Sequence, residues 1–216
     1  MLTIEKTVLP SPEQWEIVIE GMRNPMNSWD KMDSEVFIHF DNIDEFILGD
    51  ADHGLMTKLA NGGAVHAKYR RMIPVWVTIN APLYWWKEFD TYKVGTVCNS
   101  CSTMHKIHSK EFTLDDFSHD HLIDGALDML CDTVSYLNFC RKCFMNGGDK
   151  QYWWQMIQLL PTSYNQKRTV MLNYEVLVNI YKWRRNHKLD EWHTFCDWIE
   201  GLPYADLIIG GADNDR

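Results

Sequence analysis

The sequence predicts an α+β fold that is rich in helices. One stretch alternates in the way of a half-buried strand, with Val75, Val77 and Ile79 separated by Trp76, Thr78 and Asn80. Most of the remaining chain repeats apolar residues every three or four positions, which is the period of amphipathic helices. With 216 residues, of which 45% are hydrophobic, the chain can bury a full core. We expect one domain over residues 1–209 and a flexible tail over residues 210–216.

Helix starts and stops are clearest in the first third of the chain. Ser11, Pro12 and Gln14 have the pattern of a capping box with proline in the first turn, so a helix is predicted to begin at Pro12. Another helix is predicted over residues 52–61, ending at two glycines. Residues 33–40 fit either a strand or a helix, and residues 41–48 fit a short helix. Pro74 predicts that the strand over residues 75–79 lies at a sheet edge or is bulged, because proline donates no ladder hydrogen bond.

In the second half, helical repeats predominate. Thr113 and Asp116 have the spacing of a second capping box, and one long helix is predicted over residues 113–145. A short helix over residues 151–160 follows, then a helix beginning near Thr169 and a last one capped by Asp190. Lys167 and Arg168 precede the helix predicted near Thr169, where cations and helix N-terminal NH groups together favour a phosphate.

Composition excludes two classes of protein. The net charge of −9 and the pI near 5.4 argue against binding to a nucleic-acid polymer, since such proteins carry a basic surplus. No apolar run approaches the roughly 20 residues that cross a bilayer, and the first residues lack an apolar signal core. We therefore expect a cytoplasmic protein with no membrane association.

The six cysteines do not have the spacing of a disulfide scaffold, so reduced thiols are predicted. Two pairs have the form Cys-x-x-Cys, Cys98 with Cys101 and Cys140 with Cys143. Such pairs can close on zinc when they meet in space, but these lie farther apart than the usual gap of about 15–20 residues. No metal site is predicted, and the alternatives are zinc bound by both pairs and redox chemistry of the thiols.

Residues 81–103 have the layout of an anion-binding segment. Pro82 is suited to the first turn of a short helix, in which Trp85, Trp86 and Phe89 form an aromatic face. The helix is predicted to end near Gly95, before a loop of hydroxyl and thiol side chains over residues 96–103. A strand, a short helix and a polar loop in this order can present backbone NH groups to an anionic ligand.

This segment resembles the flavin-dependent thymidylate synthases (ThyX), which have Ala-Pro, an aliphatic-aromatic stretch, Arg-Gln-Trp, Arg-His-Arg and a Ser/Asn/Glu/Ser segment. Lys87, Glu88 and Phe89 stand at the Arg-Gln-Trp positions, and Thr91, Tyr92 and Lys93 replace Arg-His-Arg. Thr96 stands at the first motif Ser. With one inserted residue, Asn99, Ser100 and Ser102 align with the rest of the motif. Without the insertion, Cys101 takes the last Ser position instead.

A second stretch is similar to the same family. Leu159-Leu160-Pro161 resembles its Leu-Pro stretch, and the segment from Asn173 through Leu177 resembles its Asn-x-Arg-x-Leu helix. Glu175 stands where that helix has an Arg that contacts the ligand. A carboxylate accepts a hydrogen bond from the exocyclic amine of cytosine, whereas O4 and O2 of uracil are acceptors. The change at Glu175 therefore raises the hypothesis of a cytidine nucleotide as substrate.

The resemblance implies a small central sheet of antiparallel or mixed strands. It also implies an enzyme that transfers a one-carbon unit to C5 of a pyrimidine deoxynucleotide, dUMP by default. FAD, reduced nicotinamide and methylenetetrahydrofolate are the implied cofactors, in a homotetramer whose active sites form between subunits. The alternative is a non-catalytic nucleotide-binding or structural relative.

Carried over position by position, the resemblance implies three groups of site residues. The catalytic candidates are Glu175 and Ser102. The cofactor-binding candidates are Thr91, Tyr92, Lys93, Asn99 and His66. The substrate-binding candidates are Lys87, Glu88, Ser100, Cys101, Ser102, Arg184 and Arg185.

Overall fold

The structure, a computed structural model, describes residues 1–37 and 45–212. Within these residues the chain folds as two compact units. Unit 1 consists of Met1–Glu5, Thr78–Thr91 and Asn99–Thr169. Unit 2 consists of the described residues of Lys6–Val77, Tyr92–Cys98 and Val170–Arg216.

Strands and helices alternate irregularly along the chain, which confirms the predicted α+β class. The strands are β1 (Thr3–Val8), β2 (Glu35–Phe37), β3 (Glu45–Ile47), β4 (Pro74–Pro82), β5 (Val97–Ser100) and β6 (Asn165–Asn173). The α-helices of the described residues are α1 (Pro12–Arg23), α2 (Asp50–Asn61), α3 (Leu83–Phe89), α4 (Asp124–Gly147), α5 (Lys150–Gln158), α6 (Tyr174–Arg184), α7 (Asp190–Glu200) and α8 (Asp206–Ala212). No helix among them has both the length and the apolar composition needed to cross a bilayer.

One small sheet has the strand order β1-β4-β6-β5, and β2 pairs with β3 in an antiparallel ribbon in which Val36 lies opposite Phe46. The strand predicted over residues 75–79 is confirmed as part of β4, whose alternate residues Val75, Val77 and Ile79 are buried. The predicted edge position is wrong, because β4 lies between β1 and β6. Pro74 is the first residue of the strand, one of the places where a sheet tolerates proline.

The capping box at the start of α1 is confirmed. Ser11 N donates to Gln14 Oε1 over 2.9 Å, and Gln14 N donates to Ser11 Oγ over 3.4 Å. The helix then buries Trp15, Val18 and Ile19. The helix predicted over residues 52–61 is also confirmed, with a start two residues earlier at Asp50. For residues 41–48 the helix prediction is wrong at Glu45–Ile47, which form β3, and residues 41–44 lie outside the described part.

The single long helix predicted over residues 113–145 is wrong. Thr113 and Asp116 do form a capping box, but it caps only a 3-10 turn over Leu114–Asp116. The chain then becomes extended, because Phe117 is buried in a β-bridge with Tyr164 and Ser118 N donates to Ser163 O over 2.8 Å. Helix α4 starts only at Asp124 and ends at Gly147, with Gly148, whose φ is +67°, as its C-cap.

The helix predicted to begin near Thr169 is also wrong. Residues 165–173 form β6, with Val170 and Leu172 buried, and the helix begins at Tyr174. Lys167 and Arg168 therefore precede no helix. Lys167 pairs with Glu5 over 2.7 Å. Arg168 pairs with Asp90 over 2.8 Å, and its guanidinium lies 4.4 Å from the centroid of the Trp86 ring.

Boundaries differ in four further places. Pro82 is the N-cap of α3 rather than its first residue, and α3 ends at Phe89 rather than near Gly95. The loop predicted over residues 96–103 contains β5. The helix predicted to be the last one, α7, begins at Asp190 with Leu189 as its N-cap, and α8 follows it. Helix α8 includes residues 210–212, and residues 213–216 lie outside the described part.

A buried ion pair organises the first half of unit 2. Arg23 Nε donates to Asp52 Oδ1 over 2.5 Å, and both side chains are almost fully buried. Asp52 Oδ2 accepts three more hydrogen bonds of 2.7–3.0 Å, from Asp33 N and from the backbone and hydroxyl of Ser34. Burial by itself raises the pKa of Asp52, but the hydrogen bonds from Ser34 and Arg23 outweigh it and lower that pKa.

Candidate functional site

Unit 2 contains an open cavity of about 340 Å³ where three segments of the chain meet. They are the 3-10 turn over Lys68–Met72 with the start of β4, the loop into β5, and the end of β6. The lining residues are Arg71, Met72, Pro74, Gly95, Thr96, Val97, Met171 and Asn173. This volume lies at the lower end of the roughly 300–1,000 Å³ that small-molecule sites occupy. The cavity can therefore hold one part of a nucleotide.

Gly95 allows the loop to approach the start of α6. Its φ is +77°, in the left-handed region that favours glycine. A Cβ at this position would lie 2.9 Å from Asn173 Nδ2 and 3.3 Å from Val176 Cγ2. The wall of the cavity thus depends on the absence of a side chain at residue 95.

Asn173 caps the N-terminus of α6. Its Oδ1 accepts a 3.1 Å hydrogen bond from Val176 N, which is the usual interaction of an asparagine N-cap. Tyr174 N donates to Ile73 O over 3.2 Å, so the first turn of the helix is fixed to the segment that precedes β4. The NH end of α6 lies beside the cavity as a result, and such an end favours an anion.

Two polar groups of the cavity wall are available to a ligand. The Thr96 hydroxyl oxygen is buried and has no hydrogen-bond partner within residues 1–37 and 45–212. Arg71 is exposed at the rim, and in the same described residues its guanidinium takes part in no hydrogen bond or ion pair. A buried hydroxyl without a partner is rare in folded proteins, because leaving it unpaired costs about 1–3 kcal/mol. A hydroxyl donor, a guanidinium and a helix N-terminus together suit a phosphate.

Glu175, a predicted catalytic residue, lies in the first turn of α6. Its Oε2 atom is buried without a hydrogen-bond partner among the described residues. Burial is the main cause that raises the pKa of Tyr69 to about 12. The negative charges of Asp206 and Glu175 also raise this pKa, whereas Arg70 lowers it. This acceptor without a donor is a third polar group that a ligand could satisfy.

Tyr92 and Arg184 are two predicted site residues that lie far apart in the sequence and are in direct contact in the structure. Arg184 Nε donates to Tyr92 Oη over 2.8 Å. The guanidinium carbon lies 5.5 Å from the Tyr92 ring centroid and 4.8 Å from that of Trp192. Stacking on two rings and a hydrogen bond fix the plane of the guanidinium, which suits it for bidentate recognition of an anion.

The segment from Tyr92 to Thr96 therefore lies along α6. Tyr92 contacts Arg184 at the end of the helix, and Gly95 contacts Asn173 at its beginning. Helix α6 has 11 residues and is about 16 Å long. The two sequence stretches that resemble the thymidylate synthases, far apart along the chain, meet here within unit 2.

The other predicted residues of unit 2 are more peripheral. Lys93 and His66 are exposed, and Lys93 O accepts a 3.3 Å hydrogen bond from Thr96 N. Arg185 pairs with Glu200 over 2.7 Å and lies 5.0 Å from the Tyr181 ring centroid. Its guanidinium is thus engaged with α7, away from Arg184.

Unit 1 holds the predicted residues at the end of α3. Lys87 is exposed and Glu88 is half-buried in the last turn of that helix. Thr91 Oγ1 donates to Glu88 O over 2.7 Å and Thr91 N donates to the same carbonyl over 3.1 Å. Thr91 therefore closes the helix, and its hydroxyl proton is used by the fold.

The remaining predicted residues of unit 1 lie on β5 and just after it. Asn99 and Ser100 are exposed on the strand. Cys101 N donates to Lys167 O over 2.9 Å, and Cys101 O accepts from Gln166 Nε2 over 2.9 Å, while its side chain is exposed. Ser102 Oγ accepts hydrogen bonds of 3.3 and 3.4 Å from the backbone NH groups of Met104 and Lys106. The choice between Cys101 and Ser102 for the last motif position stays a prediction.

Within the part of the chain that the structure describes, none of the six cysteines forms a disulfide. Cys98, Cys101 and Cys131 are exposed, and Cys140 and Cys196 are buried. In the described part of the chain, no group of three or more His, Cys, Asp or Glu side chains is arranged to hold a metal ion.

Sequence reasoning missed the structural roles of Gly95 and Asn173. The signal for Asn173 was present, since an asparagine before an apolar helical repeat is a typical N-cap. A helix that begins near Thr169, as predicted, would place Asn173 inside the helix and not at its N-cap. No local pattern predicts that Gly95 lies against Asn173, because the two residues belong to distant parts of the sequence.

Comparison with solved structures adds independent evidence on the fold. A structure of Thymidylate Synthase X (ThyX) from Helicobacter pylori with FAD and dUMP matches with a TM-score of 0.65 at 14% identity, over 98% of each chain. The chain has the ThyX fold. A second Helicobacter pylori ThyX complex with FAD and dUMP gives a TM-score of 0.62 at 14% identity over 95% of each chain. The UMP/dUMP methylase PolB from Streptomyces cacaoi, bound with 5-Br dUMP, gives 0.59 at 12% identity over 98% of this chain and 93% of that one.

Sequence comparison alone finds no relative. No protein-family model matches the chain, and no curated protein is significantly similar. The chain therefore shares the ThyX fold at a level of sequence identity that overall sequence comparison does not detect.

Proposed function

We propose that this chain is a divergent ThyX-like enzyme that transfers a one-carbon unit to C5 of a pyrimidine deoxynucleotide, with dUMP as the first candidate. The main support for the proposal is that the segment Tyr92–Thr96 packs against α6. Those two stretches are the ones that resemble the family's ligand-binding motifs. The solved proteins with this fold that were crystallised with dUMP and FAD support the same class of ligands.

The cavity fits the anionic part of such a ligand. Gly95 leaves room against Asn173, and the Thr96 hydroxyl lacks a partner among the described residues. Arg71, Thr96 and the NH end of α6 would hold a phosphate of FAD or of the nucleotide. When bound, the flavin supplies the hydride that reduces the transferred carbon. We propose methylenetetrahydrofolate as the one-carbon donor and reduced nicotinamide as the source of electrons.

Among the side chains of this protein, Arg184 is the best placed to bind the nucleotide. Its guanidinium is held by Tyr92 and Trp192, so it can pair with a negatively charged group of the nucleotide with little loss of side-chain entropy. Glu175 would orient the pyrimidine, and Ser102 or Cys101 would take the position of the last motif serine. By the same resemblance we propose a cytoplasmic homotetramer in which different copies complete each active site.

The test begins with the purified protein. Flavin absorption bands and the release of FAD on denaturation, identified by mass spectrometry, are expected. Release of tritium from C5 of labelled dUMP in the presence of methylenetetrahydrofolate and reduced nicotinamide then tests catalysis. A colourless protein that binds dUMP but releases no tritium would favour the non-catalytic relative.

A pair of variants tests the cavity. Arg71→Gln removes the rim guanidinium and is expected to weaken dUMP or FAD binding about 10-fold, the loss for one charge-assisted hydrogen bond. Lys68→Gln removes a positive charge from an exposed residue of the same 3-10 turn that does not line the cavity. Equal affinities for the two variants would reject the cavity as the binding site.

A cytidine nucleotide is the second candidate substrate. The buried Oε2 of Glu175 has no donor within the described residues, and the exocyclic amine of cytosine would supply one. Binding of dCMP and dUMP should be compared in the wild type and in Glu175→Gln, with Glu20→Gln on the exposed face of α1 as control. A preference for dUMP that Glu175→Gln leaves unchanged would remove the cytidine candidate and leave the ThyX-like reaction intact.

A further inference from the structure

A second open cavity of unit 2, here named the α1 cavity, lies between α1 and the start of β4. Its volume is about 270 Å³, and its lining residues are Glu13, Gln14, Ile17, Val18, Met72 and Pro74. Met72 and Pro74 also line the cavity described above, here named the Thr96 cavity. The two cavities are therefore neighbours that share one wall. The four residues that α1 contributes are not among the site residues implied by the family resemblance.

The shared wall depends on a close contact between Met72 and Gly21. A Cβ at residue 21 would lie 2.9 Å from Met72 Cε and 3.2 Å from Met72 Sδ. The end of the Met72 side chain therefore rests against the backbone of α1, in space that a larger residue at position 21 would fill. A thioether beside a proline ring is a surface that suits the face of an aromatic ring.

The α1 cavity is apolar at its centre and polar at its edge, because four of its six lining residues are apolar. At the edge, Glu13 Oε2 accepts a 2.6 Å hydrogen bond from Ser11 Oγ, and Gln14 Oε1 accepts one of 2.9 Å from Ser11 N. Glu13 Oε1 and Gln14 Nε2 make no hydrogen bond to any residue that the structure describes. One acceptor and one donor match the edge of adenine, where an amine donor lies beside a ring-nitrogen acceptor.

The charges of the two cavities give a direction to a ligand that spans both. Glu13 lines the α1 cavity and is negative, whereas Arg71 lines the Thr96 cavity and is positive. A phosphate is repelled by the first and attracted by the second. The phosphate end of the ligand therefore belongs in the Thr96 cavity, and an uncharged ring belongs in the α1 cavity.

The choice between the two rings of FAD follows from the place proposed for the pyrimidine. Glu175, which would orient the pyrimidine, lies in the first turn of α6. Asn173, the N-cap of that helix, lines the Thr96 cavity but not the α1 cavity. The hydride-donating flavin ring has to lie beside the pyrimidine for transfer to occur. Adenine is therefore the ring that remains for the α1 cavity.

We propose that the α1 cavity binds the adenine ring of FAD while the diphosphate lies in the Thr96 cavity. Ile17, Met72 and Pro74 contact the faces of the ring, and Glu13 and Gln14 bind its edge. The inference rests on the proposed function, because that function supplies FAD as the ligand. It adds a set of cofactor-binding residues on α1 and a preference for adenine over other bases.

Calorimetric titration with ADP, FMN and dUMP tests the position of the ring. Ile17→Asp places a charge on the apolar surface and is expected to weaken ADP binding at least about 10-fold. Binding of FMN, which has no adenine, and of dUMP should change less than about 2-fold. Val65→Asp is the matched control, because Val65 is 73% exposed, as Ile17 is 57% exposed, and lines neither cavity. This control should bind all three ligands as the wild type does.

A second titration compares ADP with inosine diphosphate, which has a carbonyl in place of the adenine amine. The wild type should prefer ADP about 10-fold, because Glu13 can accept a hydrogen bond from the amine but not from the carbonyl. Glu13→Gln should narrow this preference, since an amide can also donate to the carbonyl. Glu16→Gln is the control, because Glu16 is an exposed residue of α1 that lines neither cavity.

The outcomes separate this inference from the proposed function. Equal ADP affinities in the wild type and Ile17→Asp, or a preference for ADP that Glu13→Gln leaves unchanged, would overturn the adenine site. Flavin absorption and dUMP binding in the same preparation would still support the proposed function. A protein that binds neither FAD nor dUMP would overturn both.

Discussion

The phenol oxygen of Tyr92 accepts a 2.8 Å hydrogen bond from Nε of Arg184, while the same guanidinium lies 4.8 Å from the centroid of the Trp192 ring. One side chain is thus oriented by a hydrogen bond and by stacking at once. Tyr92→Phe removes only the hydrogen bond, and Tyr92→Ala also removes the contact between the guanidinium and the Tyr92 ring, whose centroid lies 5.5 Å away.

We expect Tyr92→Phe to weaken dUMP binding about 5-fold, because a typical hydrogen bond contributes about 1 kcal/mol. Tyr92→Ala should weaken it further, since cation–π contacts add about 0.5–2 kcal/mol. Isothermal titration calorimetry on both variants measures the difference. Binding by Tyr92→Ala equal to the wild type would show that Arg184 needs no orientation by Tyr92, or does not touch the nucleotide.

Gly95→Ala should open the wall of the cavity. The new Cβ would lie 2.9 Å from Asn173 Nδ2 on a residue with φ of +77°, so we expect a loss of about 1–3 kcal/mol in the free energy of unfolding. Gly54→Ala in α2 is the control, because nothing lies within 4 Å of its Cβ position. That change should stabilise the protein by about 0.5–1 kcal/mol. Urea unfolding of both variants distinguishes strain at residue 95 from a general effect of the substitution.

Thr96→Val should affect stability and binding in opposite directions. Valine has a similar shape and removes a buried hydroxyl that has no partner in the described part of the chain, so the ligand-free protein should gain about 1 kcal/mol in stability. Binding of the anionic ligand should weaken about 5- to 10-fold, because one donor is lost. Thr57→Val, on the exposed side of α2, should change neither quantity much. A Thr96→Val variant that is less stable and binds normally would contradict the role given to this hydroxyl.

Acid should destabilise the protein through Asp52. Its pKa is lowered in the folded state, because hydrogen bonds from Ser34 and Arg23 outweigh the effect of burial. A carboxylate with a lowered pKa contributes stability above its unfolded value near 3.9 and loses that contribution as the pH falls below it. Asp52→Asn should lower the free energy of unfolding by about 3–5 kcal/mol at neutral pH and flatten its dependence on pH below about 4. Asp50→Asn, at the exposed start of the same helix, should retain the wild-type acid profile.

Local patterns predicted the elements that local interactions determine. The capping box at Ser11 and the alternation of Val75, Val77 and Ile79 each specify structure within a few residues. The break before α4 had no such signal, because Phe117 becomes extended only through its bridge with the distant Tyr164. The apolar residues of 165–173 suit both the helical and the strand period, and pairing within the sheet decides in favour of the strand.

In the candidate site, too, the sequence indicates which residues matter but not how they contact one another. The resemblance identified Tyr92, Glu175 and Arg184 as residues of interest. It could not predict that Tyr92 and Arg184 touch or that Glu175 Oε2 is buried without a donor in the described residues. Both facts depend on how a loop packs against a helix, and the sequence does not contain that geometry in any local form.

The loop between Tyr92 and Gly95 behaves as a spacer of fixed length. Tyr92 is tied through its side chain to Arg184 in the last turn of α6, and Gly95 lies against the N-cap Asn173, with two residues between them. We expect an insertion or a deletion between residues 92 and 95 to disrupt one of these two contacts. Substitutions of the residues between them should preserve both. The amino acids between residues 92 and 95 can therefore vary more freely than their number. In a search for distant proteins of this fold, the length of this loop should be a better guide than its sequence.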